Sequence, residues 1–183
     1  MRGEIRFAGF GGQGIISAGR ITGRAAVMHD DKYAVLFQSY GPEARGGACS
    51  SEVVIDDRPV TYPKVTTPEV AVIMSKEAYE KFGHDIREGG LLLIDPDLVE
   101  YEERDDVRVI PVPATRIAER LGKRIVANVV MLGALAAVWD KVSRDSLLRA
   151  VLESVPPHTV DLNRRAFEEG YRYVEERLRE KAA

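Results

Sequence analysis

Short apolar runs alternate along the chain with stretches in which apolar residues recur at helical spacing. The runs predict buried β-strands over residues 4–9, 33–37, 70–74, 91–94 and 107–112. Between them, helical spacing predicts helices over residues 15–28 and 76–82. Residues 50–55 are followed by a turn sequence at 56–59 and by a short apolar stretch at 60–62, which predicts a β-hairpin.

The pattern of the last third of the chain is helical. Helices are predicted over residues 115–121, 126–139, 143–155 and 163–180, and the second is apolar enough to be buried. Strands that alternate with helices predict an α/β fold of three layers, a mixed and mainly parallel sheet flanked by helices in a Rossmann-like arrangement. We expect one domain over residues 1–183, because no linker or internal repeat interrupts the pattern.

Composition and charge narrow the classes of function. The net charge of −3 and the pI of about 5.7 do not favour a nucleic acid partner. No long uncharged apolar run predicts a membrane span, and the first residues lead directly into a strand, so we expect a cytoplasmic protein. The single cysteine, Cys49, cannot form an intramolecular disulfide or hold an iron–sulfur cluster, and we expect it to be buried and inert.

A glycine-rich turn follows the first predicted strand and reads Gly9-Phe10-Gly11-Gly12-Gln13-Gly14. Bare backbone at a helix N-terminus suits an anion, and the spacing matches the dinucleotide-binding fingerprint. Such sites usually carry an acidic residue at the end of the second strand to bind the ribose, whereas this strand ends in Gln38 and Ser39. A tight turn against a neighbouring chain and a phosphate site are therefore favoured over a dinucleotide site.

A second glycine-rich segment follows the second predicted strand and reads Ser39-Tyr40-Gly41-Pro42-Glu43-Ala44-Arg45-Gly46-Gly47. We expect it at the carboxyl edge of the sheet beside the glycine turn, where ligand crevices of α/β folds form. Arg45 is a candidate for bidentate binding of an anion or of a partner carboxylate. A solvated surface arginine is the alternative.

Together the two segments resemble the gamma domain of 2-oxoacid:ferredoxin oxidoreductases. The Tyr-Gly-Pro-Glu sequence at residues 40–43 is more similar to the gamma subunits of 2-oxoglutarate enzymes than to those of pyruvate enzymes. The similarity extends through residues 51–53, 62–63, 90–95 and 128–133, and covers roughly residues 4–175.

The resemblance implies a part in a complex. Such enzymes oxidatively decarboxylate a 2-oxoacid on thiamine diphosphate and magnesium, pass electrons through iron–sulfur clusters to ferredoxin, and transfer the acyl group to coenzyme A. The chain would be their non-catalytic gamma subunit, with alpha, beta and delta (ferredoxin-like) subunits as partners and no cofactor held with confidence by itself. We expect the isolated chain to be inactive and to expose an apolar patch through which it could form a homodimer.

The candidate site residues divide into two groups. The candidates for an anion or a coenzyme A phosphate are Gly9, Gly11, Gly12, Gln13, Gly14 and Arg45. The candidates for a subunit interface are Ser39, Tyr40, Gly41, Pro42, Glu43, Arg45, Gly46 and Gly47. The alternatives to the subunit interpretation are a stand-alone dinucleotide-binding protein and a free α/β interaction domain.

Other polar residues are interpreted as structural. The histidines His29, His84 and His158 show no metal-like spacing and are expected to be solvated or to cap helices. The Asp95-Pro96-Asp97 sequence is typical of a turn at a strand end. Asn128 is expected to cap the apolar helix.

Overall fold

A computed structural model describes residues 1–39 and 48–183. The strands are β1 (Gly3–Gly9), β2 (Tyr33–Ser39), β3 (Cys49–Asp56), β4 (Val70–Ile73), β5 (Leu91–Ile94) and β6 (Arg108–Pro111). The helices are α1 (Ile15–His29), α2 (Lys76–Phe82), α3 (Ala114–Arg120), α4 (Ala127–Ala136), α5 (Arg144–Ser154) and α6 (Val160–Ala182), and 3-10 turns at Arg124–Val126 and Pro157–Thr159 lead into α4 and α6.

The described strands form one sheet in the order β2-β3-β1-β4-β5-β6. β1, β4, β5 and β6 run parallel, whereas β3 is antiparallel to both of its neighbours, β1 and β2. The expected mixed, mainly parallel sheet flanked by helices is confirmed. The hairpin expected between β3 and residues 60–62 is wrong, because β3 pairs along its length with β2 and β1, and residues 60–62 form no strand.

Two hydrophobic cores lie on opposite faces of the sheet. Alternation along β1 separates them, since Ile5 and Phe7 point into the larger core and Ala8 points into the smaller one. The larger core contains apolar residues of α1, α3, α4, α5 and α6. The smaller core contains α2 and the segments around β5. The layers are therefore unequal, with most of the helical mass on one face.

Helices α4 and α6 make the closest helix contact of the larger core. A Cβ atom at Gly133 of α4 would overlap the backbone carbonyl of Phe167, and one at Gly170 of α6 would overlap that of Val130. The two backbones are in direct contact here, which fixes α4 against the body of the molecule. The first residues of α4 are thereby positioned beside the glycine turn.

The single tryptophan lies at the amino end of β1. Trp139, which follows α4, is buried, and its indole N–H donates to Glu69 Oε1 at 2.8 Å. Its ring lies next to Gly3, the first residue of β1. This cluster therefore lies at the end of β1 that is opposite the glycine turn.

Candidate functional site

The glycine turn lies at the carboxyl edge of the sheet. Gly9 pairs with Cys49 at the start of β3, and Ser39 at the end of β2 lies across from Ser50 of the same strand. β1 and β2 therefore end at one edge, as the sequence predicts. The residues outside the described part of the chain are Tyr40, Gly41, Pro42, Glu43, Ala44, Arg45, Gly46 and Gly47, and the expected anion contact of Arg45 lies outside it with them.

The side chain of Gln13 holds the glycine turn in place. Its Oε1 accepts from the Phe10 N–H at 2.7 Å, and its Nε2 donates to the Met74 carbonyl at 2.9 Å. A Cβ atom at Gly9 would overlap this side chain, so the absence of one leaves room for it. Gln13 thus anchors the turn to the end of β4, and neither Gln13 nor Gly9 lines the adjoining cavity.

Gly14 connects the turn to α1 and contacts the start of α4. Its φ of 74° is in the left-handed region, which favours glycine. Asn128 Nδ2 donates to the Gly14 carbonyl at 3.2 Å, and Asn128 is only 8% exposed. The expectation that Asn128 is the N-cap of α4 is wrong, because the helix begins at Ala127 after Val126. The Asn128 Oδ1 accepts from the Val129 N–H at 2.9 Å within the first turn, while its Nδ2 reaches across to Gly14.

A cavity of about 840 Å³ opens in front of the turn. The turn and the first residues of α1 form one side, and the start of α4 with the corner between α5 and α6 forms the other. A Cβ atom at Gly11 or Gly12 would stand in open space, so a ligand can approach the backbone closely at both positions. Phe10 and Ile125, both exposed, line the cavity as well.

The charged residues in the described part of the cavity lining have one sign. Arg20 of α1 and Lys123 before α4 are cationic, and no carboxylate is among the described residues of the lining. Most of the remaining wall is apolar, with contributions from Val129, Val155 and Leu162. The free N–H groups at the N-terminus of α1 add partial positive charge at the same place. The arrangement suits a ligand that is anionic in one part and apolar in another.

Cys49 agrees with the expectation of a buried, inert cysteine, whereas His29 does not agree with the expectation of a solvated side chain. Cys49 lines the cavity, and burial raises the pKa of its thiol, so it is protonated at neutral pH and suits the inert interpretation. His29 is not solvated, since its largely buried Nε2 lies 2.7 Å from Glu153 Oε1. Within residues 1–39 and 48–183, no three His, Cys, Asp or Glu side chains are placed to hold a metal ion.

The Asp95 carboxylate performs the turn role that its sequence predicts. It is fully buried, and it accepts from the Asp97 N–H at 3.1 Å and from the Thr115 N–H at 3.0 Å. The second of these bonds ties the end of β5 to the first turn of α3. Both oxygens are therefore engaged in structure.

Comparison with protein families decides where this fold belongs. The model of the pyruvate ferredoxin/flavodoxin oxidoreductase family matches residues 4–173. The chain belongs to this family. The membership confirms the resemblance carried by the two glycine-rich segments, and it supports an oxidoreductase subunit over a stand-alone dinucleotide-binding protein or a free interaction domain.

Individual members of the family resemble the chain over nearly its whole length. The 2-oxoglutarate synthase subunit KorC of Methanocaldococcus jannaschii is 52% identical over 179 residues, which is 96% of each chain. The ketoisovalerate oxidoreductase subunit VorA of Methanothermobacter marburgensis is 34% identical over 96% of this chain but only 37% of its own. The crystal structure of a keto/oxoacid ferredoxin oxidoreductase gamma subunit from Geobacter sulfurreducens matches with a TM-score of 0.85 and 42% identity, over 94% of this chain and 98% of that one.

None of the helices in the described part of the chain combines the length and the apolar character needed to cross a bilayer. The longest helix, α6, has 23 residues and carries charged side chains throughout.

Proposed function

We propose that the chain is the gamma subunit of a 2-oxoglutarate:ferredoxin oxidoreductase and works with alpha, beta and delta subunits. The supporting observation is its 52% identity to a 2-oxoglutarate synthase subunit, against 34% to a ketoisovalerate oxidoreductase subunit. In the proposed complex, 2-oxoglutarate loses carbon dioxide, its electrons pass to ferredoxin, and the remaining acyl group passes to coenzyme A. The gamma subunit itself carries no catalytic residue.

The redox and decarboxylation chemistry is assigned to the partner subunits. One cysteine cannot supply the several thiolates that an iron–sulfur cluster requires. The clusters therefore belong to other chains of the proposed complex, and we assign thiamine diphosphate with its magnesium to those chains as well, as the family resemblance implies. We propose that this chain contributes to the enzyme through its cavity.

Coenzyme A fits the chemistry of this cavity. It carries phosphates at one end and a long, partly apolar arm that ends in the thiol to which the acyl group is transferred. Arg20, Lys123 and the N-terminus of α1 would hold the phosphates, because they present cationic and N–H groups, and no carboxylate among the described lining residues repels the anion. The apolar wall at Ile125 and Val129 would pack against the arm. Arg45 remains proposed as a further anion contact.

Removing the two cations of the cavity tests the assignment of coenzyme A. We expect Arg20→Gln and Lys123→Gln, each in the whole complex, to raise the KM for coenzyme A about tenfold, as loss of a charged hydrogen bond implies. The KM for 2-oxoglutarate should stay unchanged. Arg164→Gln on the exposed side of α6 is the matched control, because Arg164 does not line the cavity. An unchanged KM for coenzyme A in both variants would contradict the assignment of coenzyme A to this cavity.

The substrate is tested on the purified complex. We expect reduction of a viologen dye with 2-oxoglutarate and coenzyme A, and little reduction when pyruvate replaces 2-oxoglutarate. A preference for pyruvate would contradict the assignment of 2-oxoglutarate and leave the family membership intact.

A further inference from the structure

The two edges of the described sheet differ in how they are protected. β6 has four residues, begins with Arg108 and ends with Pro111, a charge and a residue without an N–H group. β2 has seven residues and contains neither a charge nor a proline. Exposed strand edges present unpaired N–H and C=O groups, and proteins usually blunt them with charge, proline or short length. β6 shows all of these devices, whereas β2 shows none.

Apolar side chains concentrate beside the unprotected edge. Leu36 of β2 points toward α1 and the larger core, so Tyr33 and Phe37 point to the opposite face, where they are 49% and 54% exposed. Val27 and Met28, at the end of α1, are exposed next to the strand. These residues are four of the eight large apolar side chains that are exposed in the described part of the chain.

A groove of about 600 Å³ borders the start of this strand. Apolar side chains of α1, β2 and the segment after β3 line it, together with the charged side chains of Asp31, Lys32 and Asp57. We use the name β2 edge surface for the set of residues Val27, Met28, Tyr33, Val35, Phe37, Pro59 and Val60. It combines an edge that pairs with no further strand of the described sheet with exposed apolar side chains, which is the combination that binds an extended segment as an added strand.

The lengths of the relatives indicate what covers this surface. In the VorA subunit the family domain accounts for 37% of the chain, so a larger polypeptide is permanently attached to it. KorC of Methanocaldococcus jannaschii matches this chain over 96% of both lengths, so no polypeptide of that size is attached to it, and its name as a subunit implies that other chains accompany it. An interface must then replace the covalent connection.

We propose that the β2 edge surface binds the subunit that corresponds to the rest of the VorA chain. That subunit contributes an extended segment, which pairs with β2 and packs its apolar side chains on Tyr33 and Phe37. This inference rests on the proposed function, because it requires the complex to exist.

The area of the surface argues against a second copy of this chain as the occupant. Two of its four large exposed apolar side chains, Tyr33 and Phe37, are aromatic, and a fully buried aromatic side chain covers about 150–250 Å². Because they are about half exposed, the four together supply on the order of 400 Å², roughly half of the ~800 Å² that each partner buries in a stable interface. A self-pairing across this edge is too small, whereas a larger subunit also contacts the surfaces around it.

Lysine substitutions on the edge test the inference in the assembled complex. We expect Phe37→Lys to weaken binding of the partner subunit about 30-fold, as loss of an aromatic anchor at an interface does. Glu100→Lys is the control, because Glu100 is exposed and follows β5, which three strands separate from β2. Thermal melting of each isolated variant checks that it remains folded. Hydrogen exchange should show alternate amides of β2 protected in the complex and exchanging in the isolated chain.

The outcomes separate this inference from the function on which it rests. Assembly of Phe37→Lys as tight as that of the wild type overturns the inference alone. Failure of the wild-type chain to assemble with any thiamine- or cluster-containing subunit overturns the proposed function and the inference together. A wild-type dimer in light scattering that Phe37→Lys converts to a monomer, with partner binding unchanged, assigns the edge to a second copy and also overturns the inference.

Discussion

At the scale of single residues, Gly14 meets a conformational and a steric requirement at the same position. Its positive φ excludes most side chains, and the amide of Asn128 occupies the place of a Cβ atom. The sequence predicts the turn from the glycine spacing, but it does not predict Asn128 as its partner. The two residues are 114 positions apart, and no local pattern records a contact over that distance.

A double mutant separates the backbone strain at Gly14 from the steric overlap with the Asn128 side chain. We expect Gly14→Ala to lower the free energy of unfolding by about 2–4 kcal/mol, combining left-handed strain with overlap of the Asn128 amide. Asn128→Ala alone should cost about 1–2 kcal/mol, because it removes the hydrogen bond to the Gly14 carbonyl and the one from the Val129 N–H. The double variant should lose at least about 1 kcal/mol less than the sum, because the overlap is removed while the strain remains. Urea denaturation measures all three, and simple additivity would contradict the steric account.

At the scale of elements, the observed order of helices and strands agrees closely with the order predicted from the sequence, whereas the pairing of the strands does not. Predicted and observed ends differ by three residues or fewer, because apolar spacing is a local property. The insertion of β3 between β1 and β2 was not predicted. Its partners are chosen by register over a long separation, and the turn sequence at residues 56–59 favoured a local hairpin instead.

The contact between α4 and α6 predicts opposite effects for two substitutions of glycine by alanine in helices. Gly133→Ala should destabilise the chain by at least about 3 kcal/mol, because its Cβ would overlap the backbone of α6. Gly23→Ala in α1 is the control, since its Cβ would lie 3.7 Å from Val53 in ordinary contact. There we expect stabilisation of about 0.5–1 kcal/mol from higher helix propensity. Thermal unfolding of both variants decides, and equal effects would contradict the packing described for Gly133.

At the scale of the whole molecule, the larger helical layer is held together at its surface by Asp30. Its carboxylate accepts from the Ser143 N–H at 2.7 Å, from the Ser143 hydroxyl at 2.8 Å and from the Ser146 hydroxyl, and so joins the end of α1 to the start of α5. Burial pushes the pKa of Asp30 upward, but the hydrogen bonds from Ser146 and Ser143 outweigh it. The net pKa lies below the ordinary 3.8.

The lowered pKa of Asp30 predicts how stability depends on pH. A carboxyl with a lower pKa in the folded chain stabilises it above the unfolded value of 3.8, and this contribution disappears as the pH falls through the folded-state pKa. We expect Asp30→Asn to cost about 1–2 kcal/mol at pH 7 through weakened hydrogen bonds. The difference from wild type should shrink as the pH falls below 3.8. Asp140→Asn on the surface should change stability by less than about 0.5 kcal/mol at every pH. A difference that does not vary with pH would contradict the assignment.

The overall architecture and the location of the cavity could be predicted from the sequence, whereas its charged residues could not. The two glycine-rich segments indicate the carboxyl edge of the sheet, and β1 and β2 do end there together. Arg20 and Lys123 carry no motif. They meet at the cavity only because α4 packs beside α1, which depends on tertiary contacts rather than on local spacing.

Because of its position, Trp139 is an intrinsic fluorescence probe of folding. The indole is buried at the amino end of β1, and a strand of seven residues, about 20 Å long, separates it from the cavity. Its emission therefore registers loss of the fold, through exposure of the ring and release of its bond to Glu69. A ligand that enters the cavity leaves the surroundings of the ring unchanged. Fluorescence from this one residue thus measures stability in the presence of a ligand without also recording the binding event directly.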